Sequence, residues 1–494
     1  MTTSTRAPGA QDLLRLSIGE LTAGFVARRF SPVEVAAAVL QAAEASQASI
    51  NAFVSIDHTG AMAAARDAEQ RYLQGRALGP LDGIPASIKD MIDVQGLPTR
   101  RGSRLTEGAP PAEADAPVVR ALRTGGAVLF GKTTTSEFGW APVSDSPHTG
   151  TTRHPLAPEL SVGGSSAGAA AHVAAGCGPL AIGSDAGGSV RVPASYCGLV
   201  GFKPTHGVIP QAPLSAYGDF SHIGPLTRSV ADCISTMAAL SSPDARDPSS
   251  LFPRMGLLDA PAHRRLRVGW SRRIGTHTLP APAIDTHFDA LVAALAEALP
   301  ATDLELVPRD LSWMELADAL WPVWTTRLYE QLKHLPQTKL ALLDPRVLRI
   351  FNAGRETTIE AVADGRIRMR ELASRLTALF TGIDLLLTPT TASPALPHGE
   401  LAPLGHPLAS AIRDSGNNFA AQPFCYPFNV TQQPAISVPL GEDAHGLPFG
   451  VQIVGGKFAD GLVLQFARRV EALCALNQTA LIRRQETGCA TAER

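Results

Sequence analysis

The chain lacks the features that mark several common functions. Its six cysteines (Cys177, Cys197, Cys233, Cys425, Cys474 and Cys489) are scattered, with no C-x-x-C pair and no dense framework. That spacing argues against a disulfide scaffold and favours unpaired thiols in a reducing compartment. Thirteen histidines are equally dispersed, without an H-E-x-x-H pair, so no metal-ligand spacing is present. Charged residues make up only 18% and nearly cancel, for a net charge of −2. With no Lys/Arg run, nothing points to a general attraction to nucleic acid or anionic membranes. No stretch approaches a charge-free membrane span, and Met1 to Leu14 lacks the apolar core of a secretory signal. The expectation is a soluble, cytoplasmic protein with no cofactor and no metal, and with neither nucleic acid nor membrane as partner.

What is present suits a globular α/β protein. Hydrophobic residues are 45% of 494, enough for a substantial core. Ser31, followed by Pro32 and Glu34, predicts the start of a helix whose apolar positions Val35, Ala38, Val39 and Ala42 recur at helical spacing. Gly60 to Gln74, Pro117 to Thr124, Ser166 to Gly176, Asp285 to Leu299, Ile367 to Leu379 and Asp460 to Leu476 read as further helices. Between them, Ile50 to Val54, Val128 to Gly131, Leu180 to Ser184, Ala435 to Pro439 and Phe449 to Val454 read as short strands. Such alternation predicts a layered α/β structure. Residues up to about 10 and from 486 onwards read as loose tails.

Two short motifs invite a functional reading and do not sustain it. Gly126 to Thr133 matches the phosphate-loop pattern, but its intervening Ala-Val-Leu-Phe is itself a strand rather than an exposed cradle. Gly164 to Gly168 matches the nucleophile elbow G-x-S-x-G around Ser166. That elbow needs a strand leading into it, and Pro155 and Pro158 argue against such a strand.

A third arrangement asks for less. Two serines, Ser165 and Ser189, sit among glycines and other small residues between Gly163 and Pro204. Ser189 follows Gly187 and Gly188, and the unhindered N–H groups of Ala186, Gly187 and Gly188 are candidates for an oxyanion hole. One such donor lowers a barrier by about 2.7–4 kcal/mol. No histidine has the local context of a serine's base. Lys89, in the apolar run Ile84 to Ile88, can serve only as the neutral amine, a form that burial favours.

Together these pieces resemble the amidase signature family of serine hydrolases. The resemblance rests on Gly83 to Asp90, Gly163 to Gly168, Asp185 to Pro193 and Cys197 to Thr205. It continues through Gly224 to Ser229, Asp384 to Thr390, Phe428-Asn429 and Pro434 to Pro439. Nearly the whole chain is covered, with a divergent middle from about 251 to 381. The family implies one domain spanning 1–494, built on a large twisted mixed β-sheet with helices on both faces. It implies a Lys89–Ser165–Ser189 catalytic set, with Ser165 after a cis peptide and relaying protons between Lys89 and Ser189. Asp185 and Arg191 would brace the nucleophile loop by charge-assisted hydrogen bonds.

The implied activity is hydrolysis of a linear carboxamide through a Ser189 acyl-enzyme, with a small-molecule amide as partner and a homodimer as the assembly the family often forms. One rival is the glutaminase component of a tRNA-dependent amidotransferase. That class carries a tyrosine-rich segment where this chain has Ile350 to Thr357. A non-catalytic scaffold on the same fold is the other rival, and it would have no need of an intact Lys/Ser/Ser set. Trp313, Trp321, Trp324 and Tyr329 are candidates for a pocket wall, although an aromatic stripe at helical spacing more often faces a core.

Overall fold

The computed structural model describes residues 9–252, 256–259, 265–276, 280–300, 302–403, 405–419 and 422–474. The expected loose ends lie outside these residues, except that Ala10 already begins a helix, Ala10–Arg15.

In chain order the strands are β1 (Phe53–Ile56), β2 (Pro85–Lys89), β3 (Val128–Thr133), β4 (Asp145–Ser146), β5 (Gly150–Thr151), β6 (Leu180–Asp185), β7 (Val200–Lys203), β8 (His222–Thr227), β9 (Leu266–Trp270), β10 (Leu304–Pro308), β11 (Leu385–Pro389), β12 (Ala435–Glu442) and β13 (Pro448–Gly455). β4 and β5 form a small separate ribbon. The other eleven make one mixed sheet in the order β1-β3-β2-β6-β8-β7-β12-β13-β11-β9-β10. β2 lies parallel to both β3 and β6, whereas β6 to β11 run antiparallel, neighbour to neighbour. The expected large mixed sheet is observed.

Local chemistry accounts for where the elements begin. Ser31 and Glu34 form a reciprocal capping box at the head of Pro32–Ile50, satisfying amides that a helix start would otherwise leave unpaired. The helix Ala167–Ala174 is buried along its whole length. A Cβ at Gly168 would lie 2.0 Å from the Ala52 carbonyl oxygen, so glycine and alanine there permit the close approach. Burial also explains the strands: all five residues of β2 and all six of β3 are buried, as a strand sandwiched between two layers requires.

β2 and β6 end side by side, and the site lies beyond their carboxyl ends. That is where open α/β sheets leave a crevice. Lys89 is the last residue of β2 and Asp185 the last of β6.

Candidate active site

Lys89 is fully buried because its strand is central and flanked by Ile88 and Ile84. Its Nζ lies 2.8 Å from Ser165 Oγ, 3.0 Å from Ser184 Oγ and 3.3 Å from the Ser184 carbonyl oxygen. A neutral amine has two N–H donors and one lone pair. It could donate both hydrogens to Ser184 and accept the Ser165 hydroxyl proton, using all three neighbours. Burial lowers the Lys89 pKa to about 7, against the Asp185 charge, which acts in the opposite direction. Desolvation disfavours the ammonium, and no carboxylate forms an ion pair with it among the described residues.

Ser165 is itself buried and follows a cis peptide, Gly164–Ser165. A Cβ at Gly164 would lie 2.2 Å from the Val143 carbonyl oxygen, which fixes glycine there. The backbone N–H of Ser166 donates to the Ser189 carbonyl at 3.2 Å, tying the two serine segments together. Ser165, Ser184, Ala186 and Ser189 line one cavity. Ser189 is partly exposed to it.

The loop carrying Ser189 is held by a buried ion pair. Arg191 donates through Nε and one terminal nitrogen to the two Asp185 oxygens, each at 2.9 Å. Its remaining donors reach Asn429 Oδ1 at 2.7 Å, Gln452 Oε1 at 2.7 Å and the Cys425 carbonyl at 3.0 Å. All five guanidinium N–H groups therefore have acceptors, the condition under which a buried charge is tolerated. Burial would raise the Asp185 pKa, but Arg191, Lys203 and the hydrogen bonds together hold it below the usual carboxylate range. The bracing role expected of Asp185 and Arg191 is observed.

One of the three amides expected to face an oxyanion already has an acceptor within the loop. The Gly188 N–H donates to Asp185 Oδ1 at 2.7 Å, so it is committed to bracing the loop and is not an open oxyanion donor. Among the described residues the N–H groups of Ala186, Gly187 and Ser189 have no hydrogen-bond acceptor. Glycine at 188 has its own reason: at φ +127°, a Cβ would meet Cys425 Cβ at 2.7 Å.

The two unsustained motifs are structural. Lys132, in the phosphate-loop match, is a buried residue of β3 that forms an ion pair with Asp90 at 3.1 Å. Ser166 stands just before the helix Ala167–Ala174, which no strand leads into; its side chain makes no capping hydrogen bond, and its Oγ donates to the Ser184 carbonyl at 3.3 Å instead.

Other participants escaped the sequence reading. Ser184 adjoins the D-x-G-G-S motif, but nothing in sequence tells that its oxygens meet Lys89. Tyr217 donates its hydroxyl to the Phe138 carbonyl, and a Cβ at Gly139 would lie 3.1 Å from both Ser165 Oγ and the Tyr217 hydroxyl. A second, aromatic slot opens at Ser189, walled by Trp140, Trp324 and Phe419. The ring centroids of Trp140 and Trp324 are 4.9 Å apart, and those of Trp324 and Phe419 are 5.2 Å apart. Of the four aromatics proposed from sequence, only Trp324 reaches the slot. Trp313 stacks under Arg375, Tyr329 packs on Phe351, and Trp321 stands edge-on to Phe419 with ring centroids 6.5 Å apart.

Residues 34–464 match the Amidase family. The chain belongs to that family. It is 34% identical to an acylamidase of Rhodococcus erythropolis over 470 residues, covering 94% of this chain and 96% of the relative. It is 32% identical to a glutamyl-tRNA(Gln) amidotransferase component of Chloroflexus aurantiacus, covering 92% and 96% respectively. Among solved structures, a 6-aminohexanoate cyclic dimer hydrolase bound to its substrate superposes with a TM-score of 0.80 at 28% identity, covering 95% of this chain and all of the other. As a member, this chain is a hydrolase acting on amides. No helix among the described residues is long and apolar enough to cross a membrane.

Proposed function

We propose that this amidase cleaves a linear carboxamide through a Ser189 acyl-enzyme, with Lys89 as the base and Ser165 as the relay. The observation that carries the proposal is the 2.8 Å contact between Ser165 Oγ and a fully buried lysine that has no carboxylate partner among the described residues. Such a lysine favours the neutral form, and a neutral amine can take a proton. Ser165 passes its proton to Lys89 and accepts the one from Ser189 as Ser189 Oγ attacks the carbonyl carbon. The carbonyl oxygen gathers negative charge within reach of the Ala186, Gly187 and Ser189 amides, which stabilise it without reorganising. Collapse breaks the C–N bond, and Ser165 returns a proton to the departing nitrogen while Lys89 reprotonates Ser165. Water then attacks the ester by the same relay, releasing the carboxylate.

Fluorophosphonate treatment followed by peptide mapping should place a single adduct on Ser189. An adduct on Ser166 would refute the assignment. The amidotransferase relatives keep the glutaminase reading in view, and a purified chain that releases ammonia from glutamine only beside a partner protein would favour it. The absence of a tyrosine cluster at Ile350 to Thr357 supports the free-standing amidase.

A further inference from the structure

The two openings at Ser189 differ in chemistry. The slot beside Gly187 and Gly188 is aromatic. The larger cavity carries Ser165 together with Asp93, Arg101 and Gln331. Asp93 and Arg101 are both half-buried. Neither the carboxylate nor the guanidinium has a hydrogen bond or ion pair among the described residues, and they do not pair with each other. Gln331 Oε1 is buried and without a hydrogen-bond partner among them.

A polar atom drawn out of water without a partner costs free energy, and Gln331 Oε1 is one; beside it two half-buried charges line the same cavity without a protein partner among the described residues. The backbone that carries Arg101 and Asp93 is fixed. The Arg101 N–H donates to both the carbonyl and the Oδ2 of Asp90, the residue after Lys89, at 3.0 and 3.1 Å. The Arg101 carbonyl accepts from Phe138 N–H at 2.8 Å, and the Asp93 carbonyl accepts from Ala116 N–H at 3.0 Å. Arg101 also sits at φ +54°, a turn conformation uncommon for a residue with a side chain. Both charges act on the buried Lys132, in opposite senses, so both lie within electrostatic reach of one point in the fold.

The proposed mechanism says which half of the substrate lies there. Ser165 hands its proton to the departing nitrogen, and Ser165 lines this cavity but not the aromatic slot. The amine portion therefore occupies the cavity of Asp93 and Arg101, and the acyl portion occupies the slot. We propose that this cavity selects amides whose amine portion is an amino acid acylated on its side-chain nitrogen. The free α-carboxylate would pair with Arg101 in the two-pronged way that suits a guanidinium, and the free α-ammonium would meet Asp93 and the Gln331 carbonyl oxygen. A ligand with only one of these charges leaves the other protein group unpaired, which is how buried polar groups reject analogues.

The inference rests on the amidase reading above, so its test carries a control for that reading. The probes are four acetamides: Nε-acetyl-lysine, N-acetyl-6-aminohexanoate with the carboxylate alone, N-acetylcadaverine with the ammonium alone, and N-acetylpentylamine with neither. Acetate release should give a kcat/KM for Nε-acetyl-lysine roughly tenfold or more above each single-charge analogue, with N-acetylpentylamine lowest. Arg101→Met should erase the advantage over N-acetylcadaverine, and Asp93→Asn the advantage over N-acetyl-6-aminohexanoate. Both effects should fall mainly on KM, and labelling of Ser189 by fluorophosphonate should be unchanged. Arg101→Gln provides a second variant if the methionine variant is unstable. Equal or better turnover of N-acetylpentylamine overturns the proposal, as does no turnover of Nε-acetyl-lysine by enzyme that still labels at Ser189. Failure of Ser189 to label would instead strike the amidase mechanism itself.

Discussion

The Lys89 base can be tested by pH because burial sets its magnitude. The fall from the ordinary 10.5 to about 7 leaves about half the enzyme with a neutral amine at pH 7. An unburied lysine would have roughly one part in three thousand neutral at that pH. Acylation measured as kcat/KM should therefore climb about tenfold per pH unit below 7 and level off above it. The limb belongs to the Lys89–Ser165–Ser189 unit rather than to one residue. Lys89→Arg keeps the charge but cannot deprotonate, so it should be as inactive as Lys89→Ala.

The same burial has a cost to stability whose sign is fixed. A lysine whose pKa is lower in the folded state disfavours folding. The penalty is full, about 5 kcal/mol, below pH 7 and fades as pH rises towards 10.5. Lys89→Met removes it. Urea denaturation should show the stability of Lys89→Met relative to wild type falling by about 3 kcal/mol between pH 6 and pH 9.5. Any loss of hydrogen bonds to Ser184 is common to both pH values and drops out of that difference. A flat kcat/KM profile from pH 5.5 to 8.5, or a folded Lys89→Arg with near-normal turnover, would end the base assignment.

Two further tests address the supports of the site. Arg191→Met strands the Asp185 carboxylate in the core and should cost on the order of 3–5 kcal/mol, read as a lower urea midpoint. Because Asp185 titrates below the usual range only while paired, that deficit should be largest above pH 4 and shrink as acid protonates it, and an equal deficit at pH 3 and pH 7 would refute the account. Trp324→Phe should reorder acyl-group preference across a panel of amides, whereas Trp321→Phe should leave the order unchanged; the reverse result would mean the slot is misassigned.

The fold was legible from sequence wherever local chemistry is decisive. The Ser31–Glu34 box, the apolar runs of β3 and β6 and the alanine-rich helix at Ala167 each carry their own signal. Burial of Lys89 was foreseeable too, because five apolar or small neighbours on a central strand leave a lysine no route to water. Other features arise only when distant segments meet. Gly188 looks like an oxyanion donor in the motif, yet its N–H belongs to Asp185, because a carboxylate buried at the end of β6 needs every donor within reach. Ser184 meets Lys89 only because β2 and β6 run parallel and end together. Trp324 lines the slot while Trp321, one helical turn earlier, does not, since which face of Ala317–Leu332 turns inward is set by its packing on Pro345–Glu356 and Ile359–Leu379. Arg101 and Asp93 belong to no motif. Sequence determined the elements, because propensity, capping and hydrophobic pattern act over a few neighbours, and it nominated the candidate reactive residues through their motifs. Tertiary structure decided which donors stay open and which charges go unpaired, because those depend on groups up to 261 positions apart, as Arg191 and Gln452 are.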